Sequence, residues 1–229
     1  MRTAGLIGGM SWESTALYYR YINEGIKNAL GGLHSAKMLI SSVDFDEVAL
    51  LQKRGEWEKG AEMMIDEALK LKRAGADFIM ICTNTMHISA DEVENALDVP
   101  LLRITDSAAS AALASGVKKA GLLGTAFTME RDFYKGRMEK LGLKIIVPDE
   151  EDRQFVHNVI YNELCLGDFR DQSRMKYSEI IGRLRTEGAE GVILGCTEIP
   201  LLVHQKDSPL KLFDTTKIHA EAAVKMMLQ

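Results

Sequence analysis

The chain has 229 residues, of which 46% are hydrophobic and 27% charged, with a net charge of −5. That is enough apolar material for one large α/β domain or two small ones, at an ordinary charged fraction for a globular chain. No block of Lys and Arg offers a surface to nucleic acid or an anionic membrane, and no apolar run approaches the ~20 residues of a membrane span. The stretch MRTAGLIGGMSWES lacks the pattern of a secretory leader, and three widely spaced cysteines, Cys82, Cys165 and Cys196, give no disulfide framework. A reduced, cytoplasmic protein is expected, with no nucleic-acid or membrane partner.

In chain order, AGLIGG (4–9) reads as a strand broken by its glycine pair. Ser11 then caps a helix whose apolar stripe is Leu17, Tyr18, Tyr21, Ile22, Ile26 and Leu30, stopped by Gly31 and Gly32. MLISSVDF (38–45) is a predicted strand, and Trp57 to Ala74 a predicted helix ended by Gly75. FIMIC (78–82) is apolar throughout, which suits a strand covered on both faces of a parallel sheet. Ser89 and Glu92 have the spacing of a capping box for the helix after them. LLRIT, AGLLGT, LKIIVP, GVILG and LKLFD are further strands. DSAASAALAS, MERDFYKGRMEKLG, two segments around 153–165 and 174–186, and TKIHAEAAVKMML are helices. The alternation is that of open parallel α/β sheets.

The chain also repeats itself. GLIGGMSWE (5–13) matches GLLGTAFTM (121–129), GADFIMICTNTMHI (75–88) matches GAEGVILGCTEIPL (188–201), and PLLRITDSAASAA (100–112) resembles PLKLFDTTKIHAEAA (209–223). Three matches in one order imply two copies of one α/β unit. The expected division is residues 1–102 with 210–229, the C-terminal helix returning to the first half, and 103–209 for the second. Ligands of open α/β sheets sit outside the carboxyl ends of the strands, so two facing copies predict a site in the cleft between pseudo-symmetric domains.

The repeat sets Thr83 opposite Cys196 and Asn84 opposite Thr197, each where an apolar strand gives way to a loop. After Cys196 come Thr197, Glu198 and Pro200, a cap and first turn for a helix whose dipole is expected to lower the thiol pKa below ~8.5. Groups on opposite sides of a pocket, one taking a proton from carbon and one returning it, are what inversion of a stereocentre requires. Asn84, Thr85, Thr125 and Thr197 are donors for the developing negative charge, and a small amino acid fits the scale of the site. GLIGGMS is neither a dinucleotide fingerprint nor a P-loop, and reads as a tight turn lining the pocket, with Met10 facing substrate. His87 either orients its loop or acts as an acid one step from substrate. Glu198 either caps a helix or polarises a neighbour. Cys82 is core filling, and Cys82, His87 and Cys196 lack the spacing of a metal site.

CTNTMH and GCTEIP resemble the two signature motifs of the aspartate/glutamate racemases, which invert amino acids with a cysteine pair. Glu198, His87 and the opening GLIGGMSWEST look more like the aspartate racemase branch. The resemblance covers essentially the whole chain and implies a two-domain pseudo-symmetric fold, an interdomain site, a homodimer, and neither metal nor pyridoxal phosphate. Thr83 stands where the family has its first cysteine, Cys165 where a lysine is expected, and Gln52 is the nearest polar residue where an arginine is expected. These departures are similar to a sub-branch with a Thr/Cys pair and a broader amino-acid range. Residues and resemblance together lead to the expectation of a cofactor-independent amino-acid racemase, with Cys196 as main base and acid, Thr83 as weaker partner, and Gln52 toward the substrate side chain. The rival readings are a dicarboxylate isomerase or decarboxylase on the same scaffold, and an amino-acid-binding protein whose chemistry has lapsed.

Overall fold

The computed structural model describes residues 1–229. Its first elements are β1 (Ala4–Gly8), α1 (Trp12–Leu30), β2 (Met38–Ser42), α2 (Phe45–Arg54), α3 (Trp57–Arg73), β3 (Phe78–Ile81), a 3₁₀ turn (Thr85–Ser89), α4 (Ala90–Asn95), β4 (Leu101–Leu102) and α5 (Ile104–Ala114). Next come β5 (Lys119–Gly124), α6 (Ala126–Glu130), α7 (Asp132–Lys140), β6 (Lys144–Ile146), α8 (Glu150–Asn162), a 3₁₀ turn (Leu164–Leu166) and α9 (Asp171–Thr186). The last are β7 (Gly191–Gly195), α10 (Ile199–Leu202), a 3₁₀ turn (Gln205–Asp207), β8 (Lys211–Asp214) and α11 (Thr215–Met227). No helix is long and apolar enough to cross a membrane.

The strands form two four-stranded sheets, ordered β2-β1-β3-β4 and β6-β5-β7-β8, and every pairing is parallel. The second order is the first moved on by four strands, so the sequence repeat is a repeat of topology. Register carries the equivalence to single residues: Ile7 pairs with Ile81 in the first sheet, and the matching Leu123 pairs with Leu194 in the second. The third repeat match shifts slightly, since Leu102 opposite Met80 corresponds to Phe213 opposite Ile193. Between these positions the second copy is the shorter by two residues, 193 to 213 against 80 to 102.

Two compact units result, Met1–Ile104 with Thr216–Gln229, and Thr105–Thr215. α5 starts directly after β4 yet belongs to the second unit. α11 starts directly after β8 yet belongs to the first.

In the first unit, alternation along the strands sends side chains to two cores. Leu6, Phe78, Met80 and Cys82 pack with Tyr18, Ile22 and Ile26 of α1 and with Ala220, Ala223 and Met227 of α11. Ile7, Ile79 and Ile81 pack with Val48 of α2, Met64, Ala68 and Leu71 of α3, and Val93 of α4. β3 is therefore buried on both faces, as its unbroken apolar run predicts.

Several local expectations shift. The strand expected over 38–45 stops at Ser42, because the Asp44 carboxylate accepts the Asp46 N–H and starts α2. LLRIT is strand only at Leu101 and Leu102, and turns helical from Ile104. The helix expected from Met129 starts at Ala126 under a Thr125 cap and breaks at Arg131, whose backbone is extended. Ser89 forms no capping box; its hydroxyl donates to the Met86 carbonyl instead. Leu30 lies past the buried stripe of α1 and is exposed.

A buried polar chain ties the first unit together across its helices. His219 of α11 has a carbonyl, Leu102 O, 2.8 Å from Nε2 and the Tyr18 hydroxyl 2.9 Å from Nδ1. A carbonyl only accepts, so Nε2 carries the proton and Nδ1 accepts from Tyr18. Burial holds this imidazole neutral, with its pKa pushed down to about 3.

Stability should respond to this chain in two ways. His219→Leu strands a buried hydroxyl and a buried carbonyl, at about 1–3 kcal/mol for each group left without a partner, whereas Tyr18→Phe costs about 1 kcal/mol; urea unfolding of the two variants checks the order. Because the native imidazole binds its proton less readily than the unfolded one, stability is full above pH ~6.5. It falls as pH drops toward about 3, by at most ~1.4 kcal/mol per pH unit for this group. Acid unfolding of His219→Leu should show a shallower fall.

Candidate functional site

β3 ends at Ile81, and the chain stays in the ladder for one more residue, the Cys82 N–H donating to Ile7 O at 2.9 Å. The Cys82 thiol points into the core beside Leu6, Tyr18 and Met80, where burial pushes its pKa far up. It is filling, as expected. Thr83, the next residue, is half-buried and leaves the sheet, while Asn84 and Thr85 are buried at the start of the 3₁₀ turn.

His87 folds back on this turn. Its Nδ1 lies 2.7 Å from the Thr83 carbonyl, and its Nε2 accepts the Ile104 N–H at 3.0 Å. Gln52 of α2 reaches the same turn, its side-chain amide donating to Met86 Sδ at 3.3 Å. Met10 is also nearby, inside the apolar cluster with Ile7, Val48 and Met86. The expected set of Met10, Gln52, Thr83, Asn84 and Thr85 is thus gathered around the carboxyl ends of β1 and β3.

The turn after β1 is built around a close approach. Gly9 has φ of +89°, and a Cβ there would sit 2.2 Å from the Val43 carbonyl oxygen, so only glycine fits. Its N–H donates to Thr15 Oγ at 2.8 Å, and Thr15 Oγ donates to Ser11 O at 2.9 Å, which closes the turn onto α1.

The second unit repeats the plan with different chemistry at its tip. Gly124 and Gly195 are register partners, and a Cβ on Gly124 would come 2.8 Å from the Gly195 carbonyl oxygen. Thr125 and Cys196 are therefore the next residues of two closely paired strands. Thr125 Oγ accepts the Thr128 N–H and caps α6. Cys196 Sγ donates to Glu198 Oε2 at 3.0 Å, and Thr197 Oγ donates to the same oxygen at 2.8 Å. All three side chains are buried.

This environment overturns the expected low thiol pKa. α10 has only four residues, and the Cys196 pKa is raised well above its ordinary value. Burial is the main cause, followed by the negative charges of Glu198 and Cys165. A backbone N–H of Glu198 aimed at the sulfur opposes them, while the hydrogen bond to the carboxylate adds to them. Cys196 rests as a thiol.

Sequence reasoning missed a wall of the second unit. On α8, His157 Nδ1 accepts the Ala126 N–H at 3.2 Å, and its ring packs 4.9 Å from that of Tyr161. Burial lowers the His157 pKa. The Tyr161 phenol is pushed up by burial and then by its electrostatic coupling to Cys196, Cys165 and Glu198, so it borders the Cys196 turn. The one available signal was that residues 157 and 161 share a helix face. Cys165 is half-buried on the 3₁₀ turn after α8. No group of three or more His, Cys, Asp or Glu side chains is placed to hold a metal ion.

Comparison with known proteins bears on the chain and its fold as a whole. The family model described as Asp/Glu/Hydantoin racemase matches residues 7–223. A crystal structure of a candidate Asp/Glu racemase from Yersinia pestis is 51% identical, covers 100% of both chains and superposes with a TM-score of 0.94. An aspartate racemase homologue from Pyrococcus horikoshii OT3 is 35% identical over 100% of both chains, with a TM-score of 0.83. The broad specificity amino-acid racemase RacX of Bacillus subtilis (strain 168) is 26% identical over 169 residues, 72% of this chain and 71% of that one.

Glu198→Gln keeps an acceptor oxygen near the sulfur and removes the charge, so the Cys196 thiol should titrate at lower pH. Alkylation rates of the Cys196 peptide against pH, read by mass spectrometry, check this. A midpoint that stays put or rises would mean that the carboxylate does not hold the proton on sulfur.

Proposed function

The chain belongs to the Asp/Glu/hydantoin racemase family, and from that membership we propose that it inverts the Cα of a small amino acid without a cofactor, Cys196 acting as base and acid and Thr83 as the weaker partner on the opposite face. The observation that carries the reading is the position of Cys196: one residue past β7, with its S–H on the Glu198 carboxylate at 3.0 Å. Thr83 holds the equivalent place past β3 by the register of the two sheets. The relatives' names support racemase chemistry on amino acids; the range of side chains is part of the proposal.

From the enantiomer whose Cα–H faces sulfur, the Cys196 thiolate takes the proton, leaving a carbanion conjugated with the substrate carboxylate. Asn84, Thr85, Thr125 and Thr197 donate hydrogen bonds to that charge. Thr83 passes a proton to the other face and recovers one from water, since a hydroxyl is too weak an acid to serve as a standing base. In reverse, the Cα proton on the other face passes through the Thr83 hydroxyl to a water-derived hydroxide, and Cys196, starting as the thiol it already is, gives its proton to the resulting carbanion. The two directions therefore draw on different resting forms of one sulfur.

Gln52 supports an uncharged side-chain subsite and hence a range beyond aspartate and glutamate. Arg103 is the buried cation of the first unit, and it is held by Asp91 and Glu94. We read the assembly as a homodimer that takes a small amino acid rather than nucleic acid or membrane.

The test is incubation with single amino acids in heavy water, tracking Cα deuterium and optical inversion. Cys196→Ser should lower turnover by about 10²–10⁴-fold, and Thr83→Cys should raise the slower direction while leaving the faster one within a few-fold. The abstraction direction should climb with pH, about tenfold per unit below the thiol pKa. Tight binding without deuterium exchange would support a lapsed binding protein, and a free dicarboxylate product an isomerase or decarboxylase.

A further inference from the structure

We infer that His87 is the positioning residue for Thr83, fixing the turn that presents its hydroxyl through the Thr83 carbonyl rather than through the hydroxyl itself. The inference rests on the racemase reading and goes beyond it by assigning a role to a residue outside the reacting groups.

Hydrogen-bond logic fixes the state of the imidazole. The Ile104 N–H is a donor, so Nε2, 3.0 Å away, must carry a lone pair. The Thr83 carbonyl is an acceptor, so Nδ1, 2.7 Å away, must carry the proton. One neutral tautomer satisfies both. Both ring nitrogens are then committed to backbone, which leaves His87 without a proton to give to substrate. Of its two sequence readings, orientation survives.

The clamp is stiff because each of its neighbours is held in turn. His87 is buried, and its ring meets that of His219 edge-on at 6.1 Å. His219 binds Leu102 O, two residues before the Ile104 N–H that His87 accepts. Arg103, between them, bridges to Asp91 and Glu94. The segment 102–104 is thus anchored at three successive residues, and the Thr83–Asn84 peptide is hung from it by one imidazole. Rotating that peptide plane would break a buried hydrogen bond. Since Thr83 is β-branched and restricted at χ1, fixing its backbone narrows the directions its hydroxyl can take. The second unit has no such device at the matching turn, where the carboxylate of Glu198 holds the sulfur directly.

The experiment separates the two faces of the reaction. Deuterium entering Cα without inversion requires Cys196 alone, whereas inverted product also requires Thr83. His87→Phe keeps a ring and removes both hydrogen bonds. It should lower inversion tenfold or more while exchange without inversion stays within threefold. His87→Asn, which places an amide donor and acceptor near the same groups, should recover part of the inversion; it also carries the comparison where His87→Phe does not fold. Thr83→Ala combined with His87→Phe should be no worse in inversion than Thr83→Ala alone. Exchange and inversion falling in parallel in a folded variant, or inversion left intact, would overturn the role of His87 alone. A wild-type protein that neither exchanges nor inverts any amino acid would instead remove the racemase reading, and this role with it.

Discussion

A parallel strand covered on both faces can offer chemistry only at its ends, and that constraint organises the whole molecule. β1, β3, β5 and β7 are buried along their lengths, so the polar residues just past them are the first places where the chain can meet a ligand. Register does the rest. Because Ile7 pairs with Ile81 and Leu123 with Leu194, the turns after β3 and β7 leave their sheets at the same level. Gly9 and Gly124, at the ends of β1 and β5, let backbone approach where a Cβ would collide, with Val43 in the first unit and Gly195 in the second. Thr83 and Cys196 owe their equivalence to this geometry before any catalytic property of either is considered.

The same burial that positions the sulfur works against it as a base. A thiol removed from water and set against a carboxylate holds its proton, and one favourable backbone N–H does not reverse that. At rest Cys196 is a protonated thiol that gives its hydrogen bond to the Glu198 carboxylate.

The architecture was readable because both of its signals are periodic. Apolar runs without polar interruption gave buried parallel strands, and the internal repeat gave two units with one topology, along with the pairing of Thr83 and Cys196. Where reading failed, tertiary contacts overrode local pattern. LLRIT has strand composition, but Ile104 gives its N–H to His87, a partner that no window around residue 104 contains. VDF has the same composition, yet the Asp44 carboxylate accepts the Asp46 N–H and turns the chain into α2. Ser89 and Glu92 have capping-box spacing, but the preceding 3₁₀ turn puts Met86 O within reach of the Ser89 hydroxyl. The thiol pKa failed for a related reason: a helix start was legible after Pro200, but not that it would last four residues or that the sulfur would be buried. Tyr161 and His157 left only their shared helix face as a signal, because the sequence of α8 does not say that this face packs beside the end of β5.

The difference between the two turns then has a simple physical content. Aligned residue by residue, Glu198 of the second turn corresponds to Thr85 of the first, and Thr197 to Asn84. The first turn therefore holds no carboxylate beside the Thr83 hydroxyl, and its one titratable side chain, His87, has both nitrogens bound to backbone. The second turn holds a thiol and a carboxylate in contact, with a tyrosine bordering them. The two turns thus present unlike chemistry, a thiol held by a carboxylate in one unit and a hydroxyl on an imidazole-clamped peptide in the other.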